Sequence, residues 1–296
     1  MLVNRLLLMT YTTVFTYWFE IFAYNIVLFN YNLLCKVLGG MYKLPQICSY
    51  LAGSFSDVEH VMLVGISGGV PHYTDFYSHV RLGDVIIGRK NDKGQMYVYC
   101  EKVTRDKDQV QYHLKGWAPS DLVLVKIAET LKEKATTDPS SSPWEEYIRD
   151  GQELMQGQEV AFERPPPSSD RLFMNIGGND MIEVGHPAMP EEMKAVNRPG
   201  APTVRLGSIA SGKPIVGDEQ LRLEFAARHQ CIGVDTEFDQ VLESIVGNRK
   251  ESFTFIRGVA DYLDGTKNVE WQPYCALVAA AVMKAIIEKL PKPAAD

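Results

Sequence analysis

Two short stretches bring carboxylates to the ends of apolar runs, where an α/β protein places its chemistry. In Val234-Asp235-Thr236-Glu237-Phe238, Asp235 and Glu237 stand at i and i+2 where a strand passes into a helix. In Arg257-Gly258-Val259-Ala260-Asp261, Asp261 stands just beyond the next strand. Carboxylates buried without a partner are expensive, so these residues either bind something or pair with Arg257. A third stretch, Gly65-Ile66-Ser67-Gly68-Gly69-Val70-Pro71, directly follows an apolar run. Its glycines either let the backbone approach a ligand closely or simply make a tight strand exit. Gly207-Ser208-Ile209-Ala210-Ser211-Gly212-Lys213 has the G-x-x-x-x-G-K spacing of a phosphate-cradling loop. Pro214 then stands where a magnesium-binding Ser or Thr belongs, and the next helix is expected only near Asp218. The run is therefore not read as a triphosphate site.

The elements that must hold these groups alternate between strand and helix from Met41 onward, which predicts an α/β fold with a helix-covered sheet. Predicted strands are His60–Gly65, ending in a glycine turn, then Asp84–Gly88, Thr203–Ser208, Cys231–Val234 and Ser252–Ile256. Gln95–Val103 and Gln109–Leu114 form a hairpin around Arg105-Asp106-Lys107-Asp108. Helices are predicted over Tyr42–Ala52, Asp121–Lys134, Asp218–His229, Phe238–Val246 and Tyr274–Leu290. The Pro- and Ser-rich stretch 136–200 reads as an irregular excursion from the sheet, within one domain spanning 41–292.

In this order and spacing, GISGGVP, HVRLGDVIIG, VRLGSIASG, VDTEFD and FIRGVADYLDG followed by EWQPYCALVAAAVMKAII resemble the nucleoside phosphorylase and nucleosidase superfamily. That superfamily holds the purine and uridine phosphorylases and the methylthioadenosine/S-adenosylhomocysteine nucleosidases, and the resemblance is to its eukaryotic, effector-associated branch. It covers residues 41–290 and implies a three-layer α/β/α sandwich around a mixed, partly closed sheet. It implies that Asp261 is the general acid at purine N7 and that Glu237 grips the ribose hydroxyls and stabilises the cation that forms as the glycosidic bond breaks. Thr236 and Asp235 fall beside the sugar, Ile215 near the base, and Gly65, Ser67 and Gly68 beside the reacting carbon. No cofactor and no metal is implied. Family members form dimers or hexamers, which implies a homo-oligomer whose neighbour completes the sugar pocket, the part His72 would play.

Departures from the family separate the reactions. Phosphorylases grip orthophosphate with an Arg two residues before the first glycine and a Ser or Thr one residue after it; here these are Leu63 and Ile66. Water is then favoured over phosphate as nucleophile, so hydrolysis of a purine nucleoside or nucleotide is expected, with phosphorolysis as an alternative. Ala260 replaces a common Ser beside the acid. If the substrate carries phosphates, Arg81, Arg89, Lys90, Arg171, Arg205 and Lys213 are the candidate contacts.

Residues 1–40 differ from the rest. They hold three charged groups, Arg5, Glu20 and Lys36, and nine of the chain's 30 aromatics. The uncharged runs Leu6–Phe19 and Ile21–Cys35 each fall short of the roughly 20 apolar residues of a spanning helix, and joined they bury Glu20 at a cost of about 2.5–3.5 kcal/mol. Membrane contact, packing onto the domain as strands, and a segment foreign to the parent fold are the three readings. The segment stands where the family's first strand belongs, and with it the carboxylate that activates water, so a catalytically weak nucleoside-binding or interaction module is the other class of function. The remaining composition is ordinary: 46% hydrophobic, net charge −7, which disfavours nucleic acid, and five cysteines with no ligand-like spacing, as in a cytoplasmic protein.

Overall fold

The computed structural model describes residues 26–29, 58–106, 109–138, 142–157, 160–177, 180–194, 198, 200–235, 238–264 and 268–291, with backbone alone for 26–29 and 109. The predicted helix Tyr42–Ala52 lies outside these residues, as do Glu20, Thr236 and Glu237.

The strands are β1 (Ile26–Phe29), β2 (His60–Gly69), β3 (Val85–Gly88), β4 (Tyr97–Asp106), β5 (Gln109–Trp117), β6 (Leu172–Asn175), β7 (Met181–Val184), β8 (Val204–Ser211), β9 (Cys231–Val234) and β10 (Ser252–Asp261). Between them run α1 (Val123–Thr137), α2 (Glu145–Leu154), α3 (Glu191–Lys194), α4 (Lys213–Val216), α5 (Glu219–His229) and α6 (Asp239–Gly247), with α7 (Trp271–Ile287) closing the fold. The main sheet runs β1-β2-β10-β3-β8-β4-β5, and β9 bridges β2 to β8. That bridge closes β2, β10, β3, β8 and β9 into a ring, with β1 extending it on one side and the β4–β5 hairpin on the other. The pairings are mixed: β10 is parallel to β2 and antiparallel to β3, and β9 is antiparallel to β2 and parallel to β8. The chain is thus a mixed α/β fold with a partly closed central sheet, as expected.

The apolar pattern explains the layers. In α1 the buried residues are Leu124, Val125, Ala128 and Leu131, one stripe at helical spacing, while α7 is buried nearly all round. α7 lies against β10 and β2, and Gly258 of β10 leaves room for the Cys275 carbonyl where any Cβ would collide. A second, smaller core joins Val98, Cys100, Ala210, Cys231 and Val234 of the sheet to Ile215 of α4 and Phe225 of α5.

Several expectations need correction. The glycines after Gly65 do not form a turn: β2 continues through Gly69, because Gly68 finds ladder partners in both β10 and β9, and Gly69 one in β9. β10 likewise runs to Asp261 itself. The G-x-x-x-x-G-K run is strand through Ser211, and one helical turn, α4, begins at Lys213 rather than near Asp218. The excursion holds α2 and the β6–β7 hairpin. Residues 1–40 supply a strand, as one of the three readings expected: Ile26–Phe29 pair in parallel with His60–Leu63. Among the described residues no helix is long and apolar enough to cross a membrane.

Candidate active site

Three strand ends meet at one edge of the ring. Gly68 of β2 is level with Asp261 of β10 on one side and with Val234 of β9 on the other. Between Val259 and Asp261 the register slips, so Ala260 is an extra residue. Such a bulge turns the following side chain out of the ladder, here the Asp261 carboxylate. Behind it the chain reverses at Leu263, whose φ of 58° is in the left-handed region that disfavours a branched side chain. Three contacts hold this turn. The Leu263 N–H donates to Asp261 Oδ1, the Leu263 carbonyl accepts from the buried Arg222 guanidinium, and the Leu263 side chain fills the space a Cβ on Gly68 would occupy.

Burial pushes the Asp261 carboxyl above the ordinary carboxylate range, and nearby Asp264 adds to this; the Leu263 N–H and Arg222 act against it. A carboxyl so placed keeps its proton at higher pH than a solvated one, as a general acid requires. One residue earlier on β2, level with Val259, the hydroxyl of Ser67 is buried and has no hydrogen-bond partner among the described residues. A buried hydroxyl without a partner favours a polar ligand at that point.

Asp235 is engaged differently. Arg257 Nε donates to Asp235 Oδ2 at 2.5 Å, and the guanidinium packs against the Phe238 and Phe255 rings, 4.7 and 5.6 Å from their centroids. A Cβ on Gly65 would come within 2.7 Å of Arg257 Nη1, so Gly65 serves this ion pair. The Phe238 N–H donates to the buried Tyr97 hydroxyl at 3.0 Å. Asp235 and Phe238 are therefore both anchored, one on each side of residues 236 and 237.

The candidate phosphate contacts are dispersed. Arg81 is paired with Asp170, Arg205 with Asp84, and Arg171 with Glu183. Arg89 and Lys90 follow the far end of β3, level with the middle of β10 and roughly 20 Å of strand from Asp261. Lys213 is exposed on α4, whose Ile215 and Val216 carbonyls accept from the same Arg222 that holds Leu263. Ile215 itself is fully buried in the smaller core. His72 accepts backbone N–H groups from its own loop, at Asp75 2.9 Å away. Among the described residues no cluster of three or more His, Cys, Asp or Glu is arranged to hold a metal ion.

Sequence reasoning missed Arg222, Tyr262, Asp170 and His186, which surround the Asp261 turn. Only Tyr262 carried a local signal, its place beside Asp261.

With this geometry in view, the chain can be set against known proteins. No protein-family model matches it. It is 26% identical over 240 residues to a nucleotide-binding leucine-rich repeat (NLR)-like protein of Hyaloscypha variabilis, covering 79% of this chain and 22% of the relative. The chain thus spans about a fifth of the length of that relative. Among solved structures it is similar to the 5'-methylthioadenosine/S-adenosylhomocysteine nucleosidase of Neisseria meningitidis in complex with methylthio-immucillin-A. That match has a TM-score of 0.44 at 14% identity, over 83% of this chain and 76% of that one. It is similar also to the futalosine hydrolase of Helicobacter pylori, with a TM-score of 0.44 at 11% identity, over 83% and 74%.

Proposed function

We propose that this chain cleaves the N-ribosyl bond of a purine nucleoside or nucleotide, with water rather than phosphate as nucleophile. The observation that supports the reading is Asp261: a half-buried carboxyl, raised above its ordinary pKa, set by a bulge at the end of β10 level with Gly68 of β2. As the glycosidic bond lengthens, the ribose becomes cationic and the purine gathers negative charge. Asp261 gives its proton to the purine, water adds to the sugar carbon and loses a proton to solvent, from which Asp261 is protonated again, and base and ribose leave separately. Glu237, between the anchors at Asp235 and Phe238, holds the ribose hydroxyls.

The preference for water is supported by Leu63, which is buried in the core, and by Ile66, which packs against it. Where phosphorylases of the resembling family carry groups that grip orthophosphate, this chain carries hydrocarbon.

The test is release of free adenine from adenosine, methylthioadenosine and ATP by the purified chain, with and without phosphate. Release that does not depend on phosphate is expected. Release only in its presence overturns hydrolysis, and binding without any release by a folded protein favours the module.

A further inference from the structure

Asp170 belongs to the excursion between α2 and β8, about ninety residues from Asp261, yet its side chain is fully buried. It joins Tyr262, at the end of β10, to Arg81, beyond the loop that leaves β2. Tyr262, the residue after Asp261, donates its hydroxyl to Asp170 Oδ1 at 2.8 Å and accepts the Leu82 N–H at 3.2 Å. Arg81 donates Nε to Asp170 Oδ2 at 2.8 Å, with a second guanidinium nitrogen 2.6 Å from the same oxygen. Arg81 and Leu82 follow the loop that leaves β2 after Gly69.

The Asp170 backbone carries a second link. The His72 N–H donates to His79 Nδ1 at 3.1 Å, so the proton of His79 is on Nε2. That nitrogen is 2.9 Å from His186 Nδ1, which must then accept, leaving His186 Nε2 to donate to the Asp170 carbonyl at 2.8 Å. One backbone donor thus fixes both tautomers. Flanking residues are tied as well: Trp271 Nε1 donates to Ser169 Oγ and the Tyr73 hydroxyl to the Phe173 carbonyl.

We propose that Asp170 is a positioning residue for Asp261, acting through the Tyr262 hydroxyl, and that through Arg81 and the His79–His186 pair it locks the loop after β2 to the same turn. This rests on the reading of Asp261 as the acid. The geometry makes the coupling specific. Tyr262 and Asp261 are adjacent, and at a bulge a rotation of one peptide moves both side chains. A displacement of about 1 Å at a reacting group costs on the order of a hundredfold in rate.

The experiment uses the full chain and the variants Tyr262→Phe, Asp170→Asn and their combination. Steady-state release of adenine from methylthioadenosine is measured beside amide hydrogen exchange. Each single variant is expected to lower kcat by about 10–100-fold with KM within about threefold. The double variant is expected to be within about threefold of the worse single one, because both remove one interaction. Exchange is expected to rise at residues 259–264 and not within α7. A folded Tyr262→Phe variant with unchanged kcat and unchanged exchange overturns the proposal. So does a loss of activity that follows general destabilisation, with exchange raised in α7 as well. If the unmodified chain releases no base, the functional reading fails by itself, and the exchange data alone decide: loosening confined to 259–264 upholds the Asp170 link, and no local change overturns it.

Discussion

Arg257 and Asp235 form an ion pair across the interior, with Nε and Oδ2 2.5 Å apart and each side chain only 3% exposed. Neither side chain reaches water, so each charge depends on the other, and the guanidinium also packs against two phenylalanine rings. Replacing Arg257 with Ala strands a buried carboxylate and is expected to cost about 3–5 kcal/mol, read as a lowered urea midpoint. A loss below about 1 kcal/mol would show that water reaches Asp235.

Two glycines of β2 are expected to respond differently to one methyl group. In Gly65→Ala the new Cβ meets Arg257 Nη1 at 2.7 Å, and the expected effect is mainly on stability, about 1–3 kcal/mol. In Gly68→Ala it meets Leu263 Cγ and Cδ1, both at 2.7 Å, and pushes on the turn that carries Asp261. Base release is expected to fall by about tenfold or more, beyond what any loss of stability explains. Unfolding curves and kcat on both variants check this; equal kcat in the two would contradict it.

Burial, and then the neighbouring His186, pushes the His79 imidazole down to about 3 from its ordinary 6.5. The unfolded chain therefore takes up this proton first as pH falls. Its contribution to stability is complete above about pH 6.5 and is lost toward pH 3, at up to about 1.4 kcal/mol per pH unit. His79→Asn is expected to flatten the acid side of the stability profile in that window. Urea midpoints at pH 7 and 5 measure it, with His229, which burial pushes down to about 4, present in both proteins.

Burial raises the thiols of Cys100 and Cys231 to about 11 and 12 and raises Cys275 further. Thiolate is the reactive form, so none of the three is expected to react with iodoacetamide at pH 8 until the chain is unfolded. Peptide mapping after brief alkylation checks this, and labelling of Cys275 in the native protein would contradict it.

What the sequence made legible follows the range of the interactions involved. The apolar run from His60, the alternation through Ser252–Ile256 and the stripe of α1 are local patterns, and these elements appear where they were read. The boundaries that moved did so for non-local reasons: Gly68 and Gly69 are strand because β9 pairs with both and β10 with Gly68, and Lys213–Val216 is helical although a proline follows its first residue. At the site, Asp261 was legible from its place after an apolar run. The function of Gly65 was not, because it depends on an arginine nearly two hundred residues later. Arg81 and Arg205 looked like free cations because the acids that hold them, Asp170 and Asp84, are brought to them only by folding.

On the proposed reading Asp261 supplies the proton for base release, which is tested by kcat for adenine release by the unmodified chain and by Asp261→Asn. The substitution keeps the shape of the side chain and its acceptor for the Leu263 N–H while removing the proton it would donate. A fall of about 10²–10⁴ with unfolding unchanged is the expected result. An Asp261→Asn variant that releases base as fast as the unmodified protein would contradict it.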